Sequence, residues 1–143
     1  MIVSIASDHA GYDLKEIIKD YFDMNGIVFT DFGPFDTESV DYPVFAKKVC
    51  ASVQTGESEF GILVCGTGIG MCIAANKQRN IRAACCGDTY SAKMARLHND
   101  ANVITLGSRV TGSGLAVEIL KKFLSTDFEG GRHSERVGMY DSL

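Results

Sequence analysis

Apolar positions along this chain come in short blocks separated by longer amphipathic stretches. Five runs, residues 2–6, 27–32, 60–65, 81–86 and 103–106, are short and rich in β-forming residues. Several are apolar almost throughout, which suits strands buried on both faces. Between the first two runs, Leu14, Ile17, Ile18, Tyr21 and Phe22 fall at i, i+3, i+4, i+7 and i+8, one stripe of a helix. A weaker stripe (Tyr42, Phe45, Ala46, Val49, Val53) lies between the second and third runs. A clear one (Ala116, Ile119, Leu120, Phe123, Leu124) follows the fifth. Gly26 and Gly56 stand where left-handed residues end the first two helices, and Pro34 and Pro43 fall in or beside the loop before the second. The tail, residues 129–143, is polar and predicts a short helix after Gly130-Gly131.

Strands alternating with helices imply parallel strands joined by right-handed crossovers. The expected architecture is an α/β, doubly wound (Rossmann-like) five-stranded parallel sheet with helices on both faces. The common strand order for it is 2-1-3-4-5, and ligands then sit beyond the carboxyl ends of the first and third strands, where the order reverses.

Composition narrows the possibilities. The 143 residues, 45% hydrophobic and 22% charged, predict one globular domain over residues 1–143, without repeats or linkers. A net charge of -4 argues against a general nucleic-acid binder. No apolar run approaches the ~20 residues of a membrane span, and Met1-Ile2-Val3-Ser4 lacks the basic start of a signal peptide. The five cysteines are odd in number and show no Cys-x-x-Cys spacing, so neither a disulfide framework nor a zinc site is expected. A reducing cytoplasm fits that pattern.

Two loops at the expected crevice carry the most chemistry. Ser7-Asp8-His9-Ala10-Gly11 leaves the first strand, and Cys65-Gly66-Thr67-Gly68-Ile69-Gly70 leaves the third, ahead of a helix starting near Met71. Gly66, Gly68 and Gly70 let backbone N–H groups converge on an anion at a helix N-terminus. The spacing is neither a dinucleotide fingerprint, since Met71 stands three beyond Gly68, nor a Walker loop. Cys65 points into that loop, where the partial positive charge of a helix start favours a thiolate able to act as base or nucleophile. The other cysteines, Cys50, Cys72, Cys85 and Cys86, occupy apolar periodic positions and read as core. Asp8 either caps the first helix or binds hydroxyls. His9 can meet an anion. His98, ahead of Asn99 and Asp100, either shuttles protons or caps its helix. Arg132 and Arg136, spaced i, i+4, share one helix face in a fork suited to phosphate, with Arg109 as a third candidate. A phosphorylated small molecule is the ligand this set favours.

These segments resemble ribose-5-phosphate isomerases of type B, in the superfamily that also holds galactose-6-phosphate isomerase subunits and allose-6-phosphate isomerases. The resemblance runs from Ile2 to about Met139, through the two loops above, Asp41-Tyr42-Pro43, Ile73-Ala74-Ala75-Asn76-Lys77, His98 to Val103, Gly107-Ser108-Arg109 and Glu129-Gly130-Gly131-Arg132-His133. It implies aldose–ketose isomerisation through an enediolate, in the pentose phosphate pathway, without metal or organic cofactor. In that scheme Cys65 is the base, Thr67 assists the proton transfers, and the backbone at Gly66, Gly68 and Gly70 steadies the oxyanion. His98 opens the sugar ring, Asp8 binds hydroxyls, and Asn99 and Tyr42 hold the sugar. His9, Arg109, Arg132 and Arg136 match phosphate-binding positions. One branch of the family uses a loop glutamate as base. That position is Met71 here, which leaves Cys65 as the fitting candidate. The resemblance also implies sites assembled between subunits of a homodimer or tetramer, with the His98 region supplied by a neighbour.

Three alternatives stay open on sequence alone. One is a six-carbon sugar phosphate as substrate, since sugar length is read by pocket depth. Another is a second subunit type, as in galactose-6-phosphate isomerases. The third is a non-catalytic phospho-ligand module, because the fold hosts many functions.

Overall fold

A computed structural model describes residues 1–143, apart from the side chain of Asp141. The strands are β1 (Ile2–Ser7), β2 (Val28–Asp31), β3 (Phe60–Cys65), β4 (Ala83–Cys85) and β5 (Val103–Gly107). The helices are α1 (Tyr12–Met24), α2 (Tyr42–Gln54), α3 (Ile69–Asn76), α4 (Thr89–Asn99), α5 (Ser113–Leu124) and α6 (Arg132–Gly138), with a terminal 3₁₀ turn at Tyr140–Ser142. All strand pairs are parallel. The expected fold is present, and so is the short tail helix after Gly131.

The strand order corrects the expectation. It is β2-β1-β3-β5-β4, so β5 rather than β4 lies beside β3. The reversal between β1 and β3 survives, because Val3 to Ser7 pair with Phe60 to Val64. The exchange matters for the site: Cys65 at the end of β3 pairs with Gly107 at the end of β5, which brings Ser108 and Arg109 beside the glycine loop. The fourth apolar run shrinks to a three-residue edge strand.

Alternate strand positions feed two cores. Val3, Ile5, Ile62, Val64, Ile104 and Leu106 pack against α1, α4 and α5. Ala6, Leu63, Cys65 and Val103 pack against α2 and α3. The α5 stripe is buried as expected through Ala116, Ile119, Leu120 and Phe123. In α1 the stripe turns by one position: Leu14, Ile18 and Phe22 are buried, while Ile17 is exposed and Lys15 takes the inner place. Tyr42 also leaves its predicted stripe and stays partly exposed. Gly26 and Gly56 adopt φ of 65° and 76°, the left-handed conformation expected after helix ends.

Lys15 is fully buried because it has partners at every donor. Its Nζ donates to Asp31 Oδ1 and Oδ2 at 2.9 and 2.8 Å and to the Pro34 carbonyl at 2.7 Å. Lys19 pairs with the same carboxylate at 2.8 Å. Burial pushes the Asp31 carboxyl up, but the two ammonium groups and the Gly33 N–H outweigh it and hold it below the ordinary carboxylate range. A depressed pKa stabilises the fold above the unfolded-state value and is lost as pH falls through the folded-state value. Asp31→Asn, which strands a buried cation, should cost about 3 kcal/mol near neutral pH. Urea unfolding from neutral to acid pH should show the variant losing less stability than the unmodified protein as pH falls.

Candidate active site

At the carboxyl edge of the sheet, the loop after β3 is fixed by its own glycines. Gly68 has φ of 79°, and a Cβ there would lie 3.0 Å from both the Cys85 sulfur and the Leu106 carbonyl carbon. A Cβ on Gly107 would lie 2.6 Å from the Thr67 backbone, and one on Gly11 2.4 Å from the Val64 carbonyl oxygen. Three loops thus meet at backbone distance, a packing open only to residues without side chains. Thr105 Oγ1 donates to the Gly68 carbonyl at 2.8 Å, and Ser108 Oγ to the Ala10 carbonyl at 2.7 Å. The N–H groups of Ser108 and Arg109 donate to the carbonyls of Cys65 and Gly66 at 2.9 and 3.0 Å. Sequence reading missed Thr105 and Ser108. Their neighbours in space are set by the β3–β5 pairing, which no local pattern announces.

Inside this frame the Cys65 sulfur faces the turn and accepts the Gly68 N–H at 3.1 Å. The residue is 5% exposed, so the sulfur sits at the edge of the core beneath the start of α3. The first intrahelical bond at that start is Cys72 N–H to Gly68 O, at 3.1 Å. The N–H groups of Gly70 and Met71 precede it and are the donors a helix start leaves for an anion. The Met71 side chain is fully buried and offers no group to this loop. Thr67 is exposed, and its Oγ1 accepts the Ile69 N–H at 3.3 Å.

The other predicted residues of this edge flank the loop. Tyr42, at the start of α2, lies against Gly70: a Cβ there would fall 2.8 Å from the phenol ring. The Arg109 guanidinium lies over Gly66, with Nη1 3.4 Å from the position a Cβ would take. Asp8 is buried, and its Oδ1 accepts the Gly11 N–H at 2.9 Å, so it does tie the turn into α1. Exposed His9 accepts the Val40 N–H on Nδ1 at 3.3 Å. That bond leaves Nε2 to carry the proton when the ring is neutral.

The remaining predicted residues assemble elsewhere. α4 starts after the carboxyl end of β4 and returns to the amino edge of the sheet, where the Asn102 carbonyl accepts the Gly61 N–H at 2.9 Å. Gly61 and Cys65 are four residues apart on one strand, roughly 13 Å at ~3.3 Å per residue. His98 and Asn99 therefore end at the edge opposite Cys65. The turn there is held by Asp100, whose Oδ2 and Oδ1 pair with Arg82 and Arg96, each at 2.8 Å. α6 joins it: the rings of His98 and His133 stack with centroids 4.3 Å apart, and Asn99 Nδ2 donates to the Tyr140 hydroxyl at 3.0 Å. Exposed Arg132 and Arg136 stand on this same helix, close enough that their charges act on His133. Glu129 and His133 were given no separate role from sequence. What joins them to His98 is a contact across more than thirty residues of chain.

Among the described residues, His98, Glu129 and His133 form the one cluster with metal-ligand chemistry, their donor atoms all within 4.8 Å. Its two rings lie only 12° from parallel. Their lone pairs run side by side rather than toward a common centre, which does not suit a tetrahedral ion. The other cysteines are a partial correction. Cys50 and Cys86 are buried, and burial pushes their thiols up to about 11 and about 12. Cys72 is only half-buried and Cys85 is exposed, because β4 is an edge strand with no neighbour on its far side.

Known proteins match this chain over nearly its whole length. The profile of a family described as Ribose/Galactose Isomerase matches residues 3–140. A solved structure of ribose-5-phosphate isomerase B from Clostridium thermocellum is 49% identical, with a TM-score of 0.98, covering 99% of this chain and 96% of that one. Ribose-5-phosphate isomerase B from Mycoplasma genitalium, solved with bound ribulose-5-phosphate, is 38% identical with a TM-score of 0.94, covering 99% and 94%. D-erythrulose-4-phosphate isomerase from Pectobacterium atrosepticum is 46% identical, covering 97% of this chain and 94% of the relative.

Proposed function

The chain belongs to the ribose/galactose isomerase family and is a sugar-phosphate isomerase; from that premise we propose that it interconverts ribose 5-phosphate and ribulose 5-phosphate, with Cys65 as the base. The observation that carries the proposal is the Cys65 sulfur held against the Gly68 N–H, 3.1 Å away, beneath a helix start. The substrate follows the names of the relatives, one of which binds ribulose-5-phosphate.

Isomerisation of an aldose phosphate needs a base over C2, donors for the enediolate oxygens and a grip on the phosphate. In this reading the Cys65 thiolate removes the C2 proton and returns it to C1, and Thr67 moves protons between O1 and O2. The negative charge of the enediolate faces the N–H groups along Gly66, Gly68 and Gly70. Preorganised donors of this kind typically contribute ~2.7–4 kcal/mol each to the transition state. Asp8 takes sugar hydroxyls through its second carboxylate oxygen, Tyr42 holds the sugar beside Gly70, and His9 and Arg109 take the phosphate from the Cys65 side.

His98, Asn99, Arg132 and Arg136 complete the site from a second copy of the chain. One copy cannot supply both halves, since its two clusters lie at opposite edges of its sheet. Exposed Ile69 and Ile73 on α3, one turn apart beside the glycine loop, give that second copy an apolar face to cover. His98 opens the ring, and the arginine pair closes on the phosphate. Nothing in this scheme calls on a metal or organic cofactor. Among the described residues no helix is long and apolar enough to cross a membrane. We place the reaction in the cytoplasm, a reducing compartment that fits cysteines without paired spacing.

The direct test is incubation with ribose 5-phosphate in chelator, without added cofactor, and detection of ketose. A four-carbon substrate is the second reading, favoured by the erythrulose-4-phosphate relative. Comparing kcat/KM for four-, five- and six-carbon sugar phosphates decides between them, and the five-carbon sugar should lead. Arg136→Ala should raise KM about tenfold or more and leave kcat within about threefold, because a phosphate grip binds ground state and transition state alike. A loss confined to kcat would remove Arg136 from the phosphate.

A further inference from the structure

We infer that Glu129 and His133 are positioning residues for the ring-opening step at His98, and that the enediolate chemistry at Cys65 does not need them. The inference rests on the role proposed above for His98 and deepens it. The His98 side chain is 39% exposed at the last turn of α4. Two groups brought by the tail hold its imidazole. The His133 ring lies flat against it, 12° from parallel. A single carboxylate oxygen, Glu129 Oε2, stands 3.4 Å from His133 Nε2 and 3.8 Å from His98 Nε2. The Glu129 N–H donates to the Leu97 carbonyl at 3.0 Å, so the backbone of the carboxylate is fastened to the residue before His98.

The two rings are not equivalent. His133 is 6% exposed, and its Nε2 is buried without a hydrogen-bond partner among the described residues. Burial, and then the charges of His98, Arg132 and Arg136, push His133 below the ordinary imidazole range, against the pull of Glu129. His133 therefore favours its neutral form and serves as a flat platform, while the more exposed ring above it is the one that can reach a sugar. Stacking fixes the plane of that ring, and the carboxylate, 3.8 Å from its Nε2, sets an electrostatic preference for its rotation within the plane.

The restriction to ring opening comes from the chemistry of the two sugars. Ribose 5-phosphate is a furanose closed between C1 and O4. Opening it breaks the C1–O4 bond, with the electron pair going to O4, which takes a proton from the imidazolium. The O1–H pair becomes the carbonyl as O1 gives its proton to water. Ribulose 5-phosphate carries its phosphate on O5 and has no hydroxyl placed to close a ring on C2. It is open-chain and can form the enediolate without His98.

Two readouts on one protein separate these steps. Conversion of ribose 5-phosphate needs both, whereas deuterium entry at C1 of ribulose 5-phosphate in D₂O, followed by NMR, needs only the enediolate. In Glu129→Gln and His133→Ala, conversion should fall about tenfold or more, the scale of a misplaced general acid. Deuterium entry should stay within about threefold of the unmodified protein, which also shows that the variants are folded. His133→Phe, which keeps a flat ring, should restore conversion to within about threefold. Deuterium entry falling in step with conversion, unchanged conversion in Glu129→Gln and His133→Ala, or failure of His133→Phe to rescue would each overturn the inference. An unmodified protein that performs neither reaction would instead defeat the substrate reading on which it rests.

Discussion

Cys65→Ala should lose about 10³-fold in kcat on ribose 5-phosphate, within the range that a positioned general base typically contributes. Binding should survive, with ribose 5-phosphate titrated into the variant by calorimetry giving a Kd near the KM of the unmodified protein. The expectation follows from what surrounds the sulfur. Its one donor is the Gly68 backbone N–H, so removing the sulfur leaves a loop still held by Thr105 and by the Ser108 and Arg109 backbone. The residues proposed to grip phosphate are separate from it. The resemblance puts the glutamate base of one family branch at the position of Met71, whose side chain is buried in the core and offers no base. A drop of less than about tenfold would mean that the C2 proton leaves by another group.

The alternation of strands and helices was legible because each element carries its own period. Buried strands are apolar almost throughout, and α5 shows a clean helical stripe. Strand order was not legible, because β4 and β5 are both short and apolar and either could lie beside β3. That one exchange explains two misreadings. It hid the roles of Thr105 and Ser108, and it made Cys85 look like core when it lies on an edge strand. Lys15 illustrates a second limit. A lysine one position off the apolar stripe reads as solvated, and its burial depends on Asp31 and Pro34, which meet it from the end of β2 and the loop after it.

The site itself divides in the same way. The form of the Cys65 loop was legible because it is local, a strand end, a turn and a helix start in six residues. The separation of Cys65 from His98 follows from the direction of α4 relative to β3, which the β-α-β order already implies. The pairing of His98 with Glu129 and His133 lay beyond local pattern, since it needs the tail to fold back onto α4.

The shared site proposed above makes a quantitative demand on mixed subunits. Cys65→Ala and His98→Ala each damage one half, and each homodimer should be nearly inactive on ribose 5-phosphate. A heterodimer of the two, co-expressed with different tags and purified through both, then carries one site with both lesions and one with neither. It should show about half the activity of the unmodified dimer, as two-fold symmetry requires when each copy completes the other. A heterodimer as inactive as its parents would place Cys65 and His98 in the same subunit's site and contradict the account.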